Sequence, residues 1–509
     1  MVSDTIAAAV DTVGIVGTGA MGRGIAQIAA QAGLRVLLYD ALPGAAHNAR
    51  ETITRTLQRL VEKGRITPVQ LTESIDKLAI VGDLQGLASA HVIIEAVVES
   101  LEIKQKIFRQ LEDIVAPTCI LASNTSSLSV TAIAAACKHP QRVAGFHFFN
   151  PVPVMKIVEV IDGLLTAPAT STELMELAHR VGHQGVRAKD TPGFIVNHAG
   201  RGFVTEALRI LGEGVAEIHD VDAIMREAAG FRMGPFELMD LTGLDVSQPA
   251  MESIYHQYYE EPRFRPSPLA AQRLAGGILG RKSGRGFYDY RDGVPVVAAK
   301  AIVPASLPAC VWVSQAVPEW CEAVRSIVLT AGVVLETGST PSADALVVVT
   351  PLGTDASTCC AVQRLDPRRV VAVDGLFAMR GQRSVMSTPV TLPLCRNQAL
   401  TLFAHDGTPV SLVRDSAGLV AQRILACIVN IGCDIAQQRI ARPVDIDHAV
   451  RLGLGYPQGP LALGDALGVP RILQILEAMQ DFYGDPRYRP SPWLKRRALL
   501  GLSLLTEED

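Results

Sequence analysis

Residues that could do chemistry concentrate in the first two hundred positions. Gly17-Thr18-Gly19-Ala20-Met21-Gly22 follows the apolar run 13–16 and opens a helical stretch to about Gly33. Glycines spaced this way serve three ends: a tight turn at Gly17, close backbone approach at Gly19, and close helix–strand packing at Gly22. The free N–H groups of a helix start carry partial positive charge and attract phosphate. Gly17, Gly19, Ala20, Met21 and Gly22 therefore read as a cradle for a pyrophosphate. Asp40 ends the next apolar run, Leu37-Leu38-Tyr39, where a carboxylate accepts hydrogen bonds from ribose hydroxyls. It would repel a 2′-phosphate, and Ala41-Leu42-Pro43 brings no arginine to bind one. The motif predicts a dinucleotide, NAD rather than NADP.

A dinucleotide oxidant needs an alcohol to oxidise, a base for the hydroxyl proton and donors for the developing oxyanion. His147 lies in residues 145–151 (GFHFFNP), and Glu159 follows in residues 156–160 (KIVEV). A carboxylate on one imidazole nitrogen fixes the tautomer and raises the basicity of the other. Residues 123–128 (SNTSSL) add the hydroxyl of Ser126 and the amide of Asn124 at the end of another expected strand. Strand C-terminal ends line the ligand crevice of a parallel sheet, so Asp40, Ser126 and His147 should share one edge. Arg55, Arg59 and Lys63 recur every four residues, on one helix face. That face is either a solvated basic surface or a landing strip for phosphates, and the spacing leaves both open.

These side chains need a frame. Strands are expected at 12–16, 35–39, 92–95, 120–122 and 143–147, alternating with helical stretches, which is the parallel α/β pattern. Residues 1–188 form the nucleotide-binding domain, with a charged helical insertion at 44–75. From Pro192 to about Tyr259 apolar positions recur at helical spacing, giving a helical domain over 189–290. That domain occurs twice. DTPGFIVN (190–197) aligns with DSAGLVAQ (415–422), Val221-Asp222 with Ile446-Asp447, Gly234-Pro235-Phe236 with Gly459-Pro460-Leu461, and Asp240 with Asp465, all 225 residues apart. The second copy spans 411–509. Between the copies, 291–410 alternates again, with strands expected at 310–314, 333–336, 345–350 and 370–374. This reduced α/β segment has no GxGxxG and is assigned no nucleotide. Asn197 is matched by Gln422 and HFFNP has no second copy, so one active site per chain is expected.

Composition narrows the class further. Hydrophobic residues make up 48%, charged residues 19%, and the net charge is −4. The chain can bury large cores, and nothing in its charge calls for nucleic acid or an anionic membrane surface. No run approaches the ~20 uninterrupted apolar residues of a membrane span. Residues 1–10 carry Asp4 and no Lys or Arg, so no secretory signal is read. Nine cysteines lie scattered without CxxC spacing, which reads as reduced thiols of a cytoplasmic protein and gives no metal site.

GTGAMGRGIAQ, SNTSSL, GFHFFNPVPVMKIVEV and DTPGFIVN, in that order, resemble the L-3-hydroxyacyl-CoA dehydrogenase family, and the likeness runs from residue 12 to about 290. The resemblance implies an α/β protein: a Rossmann-type doubly wound parallel sheet, then an all-α domain of the 6-phosphogluconate-dehydrogenase kind, repeated after the reduced α/β segment. It implies NAD as cofactor and an (S)-3-hydroxyacyl-CoA thioester as substrate, oxidised to the 3-oxoacyl thioester. By that likeness His147 is the general base and Glu159 its partner. Ser126 and Asn197 hydrogen-bond the substrate oxygen, Glu99, Lys104 and Asn124 lie along the cofactor, and the insertion carrying Arg55, Arg59 and Lys63 meets CoA. The two-copy layout is similar to long bacterial members, among them the 3-hydroxyadipyl-CoA dehydrogenases of phenylacetate degradation and 3-hydroxybutyryl-CoA dehydrogenases. A substrate with a terminal carboxylate would call on a cation such as Arg201, Arg232 or Arg281. Residues 411–509 are expected to pack on 190–290 as an intramolecular pseudo-dimer, with a further homo-oligomer left open. Two alternatives stand beside the dicarboxylic substrate: a 3-hydroxybutyryl-CoA or general β-oxidation dehydrogenase, and a non-catalytic NAD-binding homologue. The joint presence of Ser126, His147, Glu159 and Asn197 speaks against the last.

Overall fold

The computed structural model describes residues 10–296 and 306–508. Residues 1–9, on which the leader reading rests, 297–305 of the expected reduced segment, and Asp509 lie outside the described residues. Two compact units divide the chain. One holds the residues up to Val196 together with Gln438–Leu454; the other holds Asn197–Gln437 and the residues from Gly455 onward.

The first unit is built on an eight-stranded sheet. Its strands are β1 (Thr12–Val16), β2 (Arg35–Tyr39), β3 (Leu78–Ile80), β4 (Val92–Glu95), β5 (Ile120–Ser123), β6 (Val143–Phe148), β7 (Ile157–Asp162) and β8 (Gln184–Lys189). They lie in the order β3-β2-β1-β4-β5-β6-β7-β8. All neighbours run parallel except β6 and β7. β1 and β4 are buried along their whole length, which is why TVGIV and VIIE read as unbroken apolar runs. One face packs Ile15, Val36 and Ile94 against Ile25 and Ile28 of the helix Ala20–Gln31. The other packs Val16, Ile93 and Leu121 against Phe108. The insertion is two helices, Ala45–Glu62 and Pro68–Asp76. Ala46, Ala49, Ile53 and Leu57 turn one face of the first inward. Thr67 and Gln70 form a capping box, with Pro68 in the first turn, that starts the second.

The second unit carries a hairpin, β9 (Asp289–Arg291) with β10 (Val294–Val296), and a six-stranded sheet. That sheet comprises β11 (Cys310–Val313), β12 (Val334–Glu336), β13 (Leu346–Val349), β14 (Val370–Val373), β15 (Arg383–Ser387) and β16 (Val410–Arg414), in the order β12-β11-β13-β14-β15-β16. Only β14 and β15 run antiparallel. The long helices of the two helical copies, Arg201–Gly212 and Val420–Gln437, lie face to face within this unit. Gly202 allows the approach, since a Cβ there would stand 2.9 Å from the backbone of Ile428. Across this seam the buried Arg423 donates from Nε to Glu206 and from Nη1 to Glu213, each at 2.8 Å. Tyr488 adds its hydroxyl to Glu206 at 2.9 Å. The helix Val420–Gln437 is long and apolar enough to cross a membrane, and it is 89% buried among its neighbours. All nine cysteines are free thiols.

The copies exchange a segment. In the first unit the Lys189 N–H at the end of β8 donates to the Ile440 carbonyl at 2.9 Å, and the helix Pro443–Leu454 packs on β7 and β8. In the second unit the Arg414 N–H at the end of β16 donates to the Val215 carbonyl at 2.8 Å. Ser411 there donates its hydroxyl to Asp220 at 2.5 Å. Lys189 matches Arg414, and Val215 matches Ile440, at the offset of 225 that relates the copies.

Candidate active site

The glycine turn has the shape its sequence predicts. Gly17 sits at φ +91°, and a Cβ there would press on the Ala96 carbonyl at 2.7 Å. A Cβ at Gly22 would stand 1.9 Å from the Gly17 carbonyl oxygen. A Cβ at Gly19 would meet nothing within 4 Å, so that approach to the turn is open. Gly19 is the N-cap of the helix Ala20–Gln31 and supplies no side-chain cap, which leaves the first-turn N–H groups free for an anion. The residues present therefore fit a bound dinucleotide. Asp40 has a second employment. Its carboxylate accepts the Thr18 N–H at 2.7 Å, the Thr18 hydroxyl at 2.8 Å and the Leu42 N–H at 2.9 Å. Burial opposes its charge, but these hydrogen bonds outweigh it and hold the carboxyl below the usual range.

After β4 and β5 the chain forms a charged cluster. Lys104 is fully buried and donates to Glu95 at 2.7 Å, with Glu99 at 3.2 Å. Glu99 also accepts the Thr125 hydroxyl at 2.6 Å, the Ser126 and Ser127 N–H groups at 3.0 and 3.1 Å, and the Ser127 hydroxyl at 3.0 Å. Burial works against the Glu99 charge, but Lys104 and these donors keep its carboxyl below the usual range. Glu99 thus pins the SNTSSL turn, turning Ser127 inward and leaving the Ser126 side chain exposed. Asn124 accepts the Phe148 N–H at 2.8 Å and ties this turn to β6. Glu95, which the sequence reading passed over, is the hub. It takes Lys104 on one oxygen and the Ser123 hydroxyl, at 2.7 Å, on the other. Its signal was a carboxylate at the end of an otherwise apolar strand.

His147 and Glu159 are direct partners in the register of β6 and β7. Nδ1 of His147 lies 2.6 Å from one Glu159 oxygen, and the other oxygen accepts the Ile195 and Val196 N–H groups at 2.9 Å each. Glu159 has no exposed surface, and both of its oxygens are engaged. The imidazole is held between the rings of Phe149 and Phe194, at 4.4 and 5.8 Å. With Nδ1 committed to a carboxylate, Nε2 is the nitrogen free to take a proton. Asn197 follows Val196 directly, on the short helix Val196–Ala199 that opens the second unit.

The basic face of the insertion and the cleft beside it carry different cations. Arg55 and Arg59 are exposed on the helix Ala45–Glu62, and Lys63, also exposed, is its C-cap, with its N–H on the Arg59 carbonyl at 3.2 Å. A cleft of about 580 Å³ opens beside them, lined on this helix by Ile53, Thr56 and Leu60. The cations lining it are Arg23, Arg65 and Lys156, from three separate segments. No periodicity joins those three residues, so no pattern along the chain points to them.

The second sheet repeats the frame of this site with different side chains. Asp374 faces Ser384 across β14 and β15, its N–H 3.4 Å from the Ser384 carbonyl, where His147 faces Glu159 in the first sheet. Gln422, in the place of Asn197, donates to Asp374 at 3.0 Å and accepts the Gly353 N–H at 2.8 Å.

Comparison with known proteins agrees with this geometry. The family description "3-hydroxyacyl-CoA dehydrogenase, NAD binding domain" matches residues 12–191, and "3-hydroxyacyl-CoA dehydrogenase, C-terminal domain" matches 193–290 and again 418–504. A 3-hydroxyadipyl-CoA dehydrogenase of Escherichia coli (strain K12) is 39% identical over 96% of this chain and 98% of its own length. A probable 3-hydroxybutyryl-CoA dehydrogenase of Bacillus subtilis (strain 168) is 42% identical, covering 55% of this chain and 96% of its own. The crystal structure of a 3-hydroxybutyryl-CoA dehydrogenase from Escherichia coli K12 superposes with a TM-score of 0.85 at 38% identity, covering 97% of this chain and 99% of that one. With its NAD-binding domain matched once and its C-terminal domain twice, the chain belongs to the 3-hydroxyacyl-CoA dehydrogenase family.

Proposed function

We propose that the chain oxidises (S)-3-hydroxyadipyl-CoA to its 3-oxo thioester, with His147 as general base. The observation that carries this is the line from the Ile195 and Val196 N–H groups through Glu159 to His147 Nδ1. Glu159 fixes the imidazole with Nε2 unprotonated, and Nε2 takes the proton of the substrate hydroxyl as C3 gives up its hydride. NAD, when bound, supplies the hydride acceptor. Ser126 donates to the oxygen that becomes the ketone, and Asn197 serves the same oxygen by likeness to the family. Glu99 and Lys104, locked to the SNTSSL turn, position the nicotinamide end, while Asn124 holds that turn against β6. Arg23, Arg65 and Lys156 face the CoA phosphates in the cleft, with Arg55, Arg59 and Lys63 as an outer basic fringe.

The full-length likeness to a 3-hydroxyadipyl-CoA dehydrogenase favours the six-carbon diacid chain. A second reading, 3-hydroxybutyryl-CoA, is favoured by the solved structure that matches over the whole length under that description. The second helical copy stands where a partner subunit would, against the helix Arg201–Gly212, and a cytoplasmic place of action suits the free thiols. NADH formation measured with (S)-3-hydroxyadipyl-CoA, (S)-3-hydroxybutyryl-CoA and a longer monoacid ester tests the reading. The expected order of kcat/KM puts the diacid first. No NADH from any of the three would overturn it.

A further inference from the structure

Buried arginines in the described part of this protein come with a carboxylate. Arg423 and Arg487 have Glu206, Arg263 has Asp434, Arg383 has Asp406 and Arg142 has Glu112. Arg201 differs: it is half-buried and has no carboxylate partner among the described residues. It lies one helical turn after Asn197, and its Nε donates to the Asn197 carbonyl at 2.9 Å. Its Nη1 is buried and has no hydrogen-bond partner among the described residues. Among the described residues no carboxylate pairs with it; burial draws its guanidinium down to about 10, with the Tyr456 hydroxyl as a titratable neighbour. That hydroxyl is itself buried and unpartnered. Tyr456 packs edge-on against Phe203 and Phe231, at 5.6 and 4.9 Å. At the offset between the copies it matches Phe231, so the second copy adds a hydroxyl where the first has none. His198 adds no counter-charge. Its imidazole is pushed down to about 3 by burial, then by Arg201 and Arg263, and is neutral.

A guanidinium N–H and a hydroxyl both buried without a partner are costly, and such orphans in a native fold call for a missing acceptor. We infer that Arg201 and Tyr456 together bind the distal carboxylate of the acyl chain, making them the residues that select a carboxyl-ended 3-hydroxyacyl thioester. This rests on the reading that Asn197 meets the C3 oxygen. Four helical residues rise ~6 Å, which matches the span from the C3 oxygen to the far carboxylate of a six-carbon diacid. The Nη1 N–H and the tyrosine O–H would each donate to one carboxylate oxygen, a charge-assisted pair of bonds. The second helical copy thus contributes a side chain to substrate choice.

The test is the ratio of kcat/KM for (S)-3-hydroxyadipyl-CoA over (S)-3-hydroxybutyryl-CoA in the full chain and its variants. Arg201→Gln should lower that ratio about a hundredfold, the usual scale for stripping one partner from a buried charge pair. Tyr456→Phe, which keeps the ring packing, should lower it several-fold. Competitive inhibition by adipyl-CoA and hexanoyl-CoA, equal in length, gives a second measure: the wild type should bind the first more tightly, and Arg201→Gln should erase the difference. A ratio unchanged in both variants overturns the assignment while leaving the dehydrogenase reading intact. A wild type that oxidises neither ester overturns both.

Discussion

In the first sheet, a helix after β5 begins at Ser129, whose hydroxyl accepts the Ala132 N–H, and Asp190 accepts the Val130 and Thr131 N–H groups at 3.0 and 2.7 Å. In the second sheet, the helix after β13 begins at Asp355, which accepts the Thr358 N–H, and Asp415 accepts the Ala356 and Ser357 N–H groups at 2.8 and 3.1 Å. The backbone N–H groups of the two frames find matching acceptors. Their contents differ. Leu352 stands in the place of Ser126, Asp374 of His147, Ser384 of Glu159 and Gln422 of Asn197. Gln422 then uses its amide to staple Gly353, Pro351 and Asp374 together, and Gly353 packs against the backbone of Ile475. What both copies keep is the frame; what only the first keeps is the set of side chains proposed to carry the reaction. In the second copy these positions hold the frame together.

That contrast can be broken most directly at its centre. His147→Ala should lower turnover by roughly 10²–10⁴-fold, the span for a lost general base, while Asp374→Asn should leave steady-state turnover where it was. Comparable losses in both variants would mean the second sheet still acts in the reaction. Next in size is the seam. Glu206→Gln strands Arg423 and Arg487 in a buried site, and about 3–5 kcal/mol of stability should go with it. Chemical denaturation reads this, and a loss under 1 kcal/mol would show that the helices do not depend on the pair. Asp40→Ser should shift the NAD-over-NADP ratio of kcat/KM by about tenfold or more, the worth of charged hydrogen bonds. It should also loosen the glycine turn, because Asp40 holds Thr18 and Leu42; an unchanged ratio would leave Asp40 with the turn alone.

The smallest effect sharpens the contrast by pH. Burial raises the Asp374 carboxyl above its usual range, and its Oδ2 has no partner among the described residues. A raised folded value means that the protonated form supports the fold below the unfolded value near 4, and that this support drains away as pH climbs through the folded value. Asp374→Asn has no proton to lose. Its melting temperature should therefore exceed that of the wild type by a margin that widens from pH 5 to pH 8, a few degrees at most. A margin that stays flat or narrows would show that Asp374 is satisfied as a carboxylate.

Much of this was legible in the sequence because it is local. The glycine turn, Asp40, and β1, β2 and β4 each announce themselves within a few residues. β3 (LAI) was too short to register. β8 (QGVRAK) hides because Arg187 points outward to pair with Asp162 at 2.6 Å, which breaks the apolar run. β15 and β16 were missed for a related reason: Gln382, Arg383, Ser384 and Ser411 are buried polar residues there, satisfied by partners far along the chain such as Asp406 and Asp220. Lys63 keeps its helical spacing as the C-cap, its N–H still bonded to the Arg59 carbonyl. The cations of the cleft and the Arg201–Tyr456 pair depend on segments brought together only by folding.

The exchanged segment 438–454 also sets an order of events during synthesis. Until it leaves the ribosome, the outer edge of β8 has no Ile440 carbonyl to meet Lys189 and no helix to cover it. The first sheet must wait, nearly complete, while the whole second sheet and the longest apolar helix are made. A bare strand edge is a template for other chains. A chain that stops before residue 438 would therefore lack the segment that covers this edge. It would present a sheet with an unguarded edge, and the cell would meet the defect first as an aggregate and a load on its chaperones.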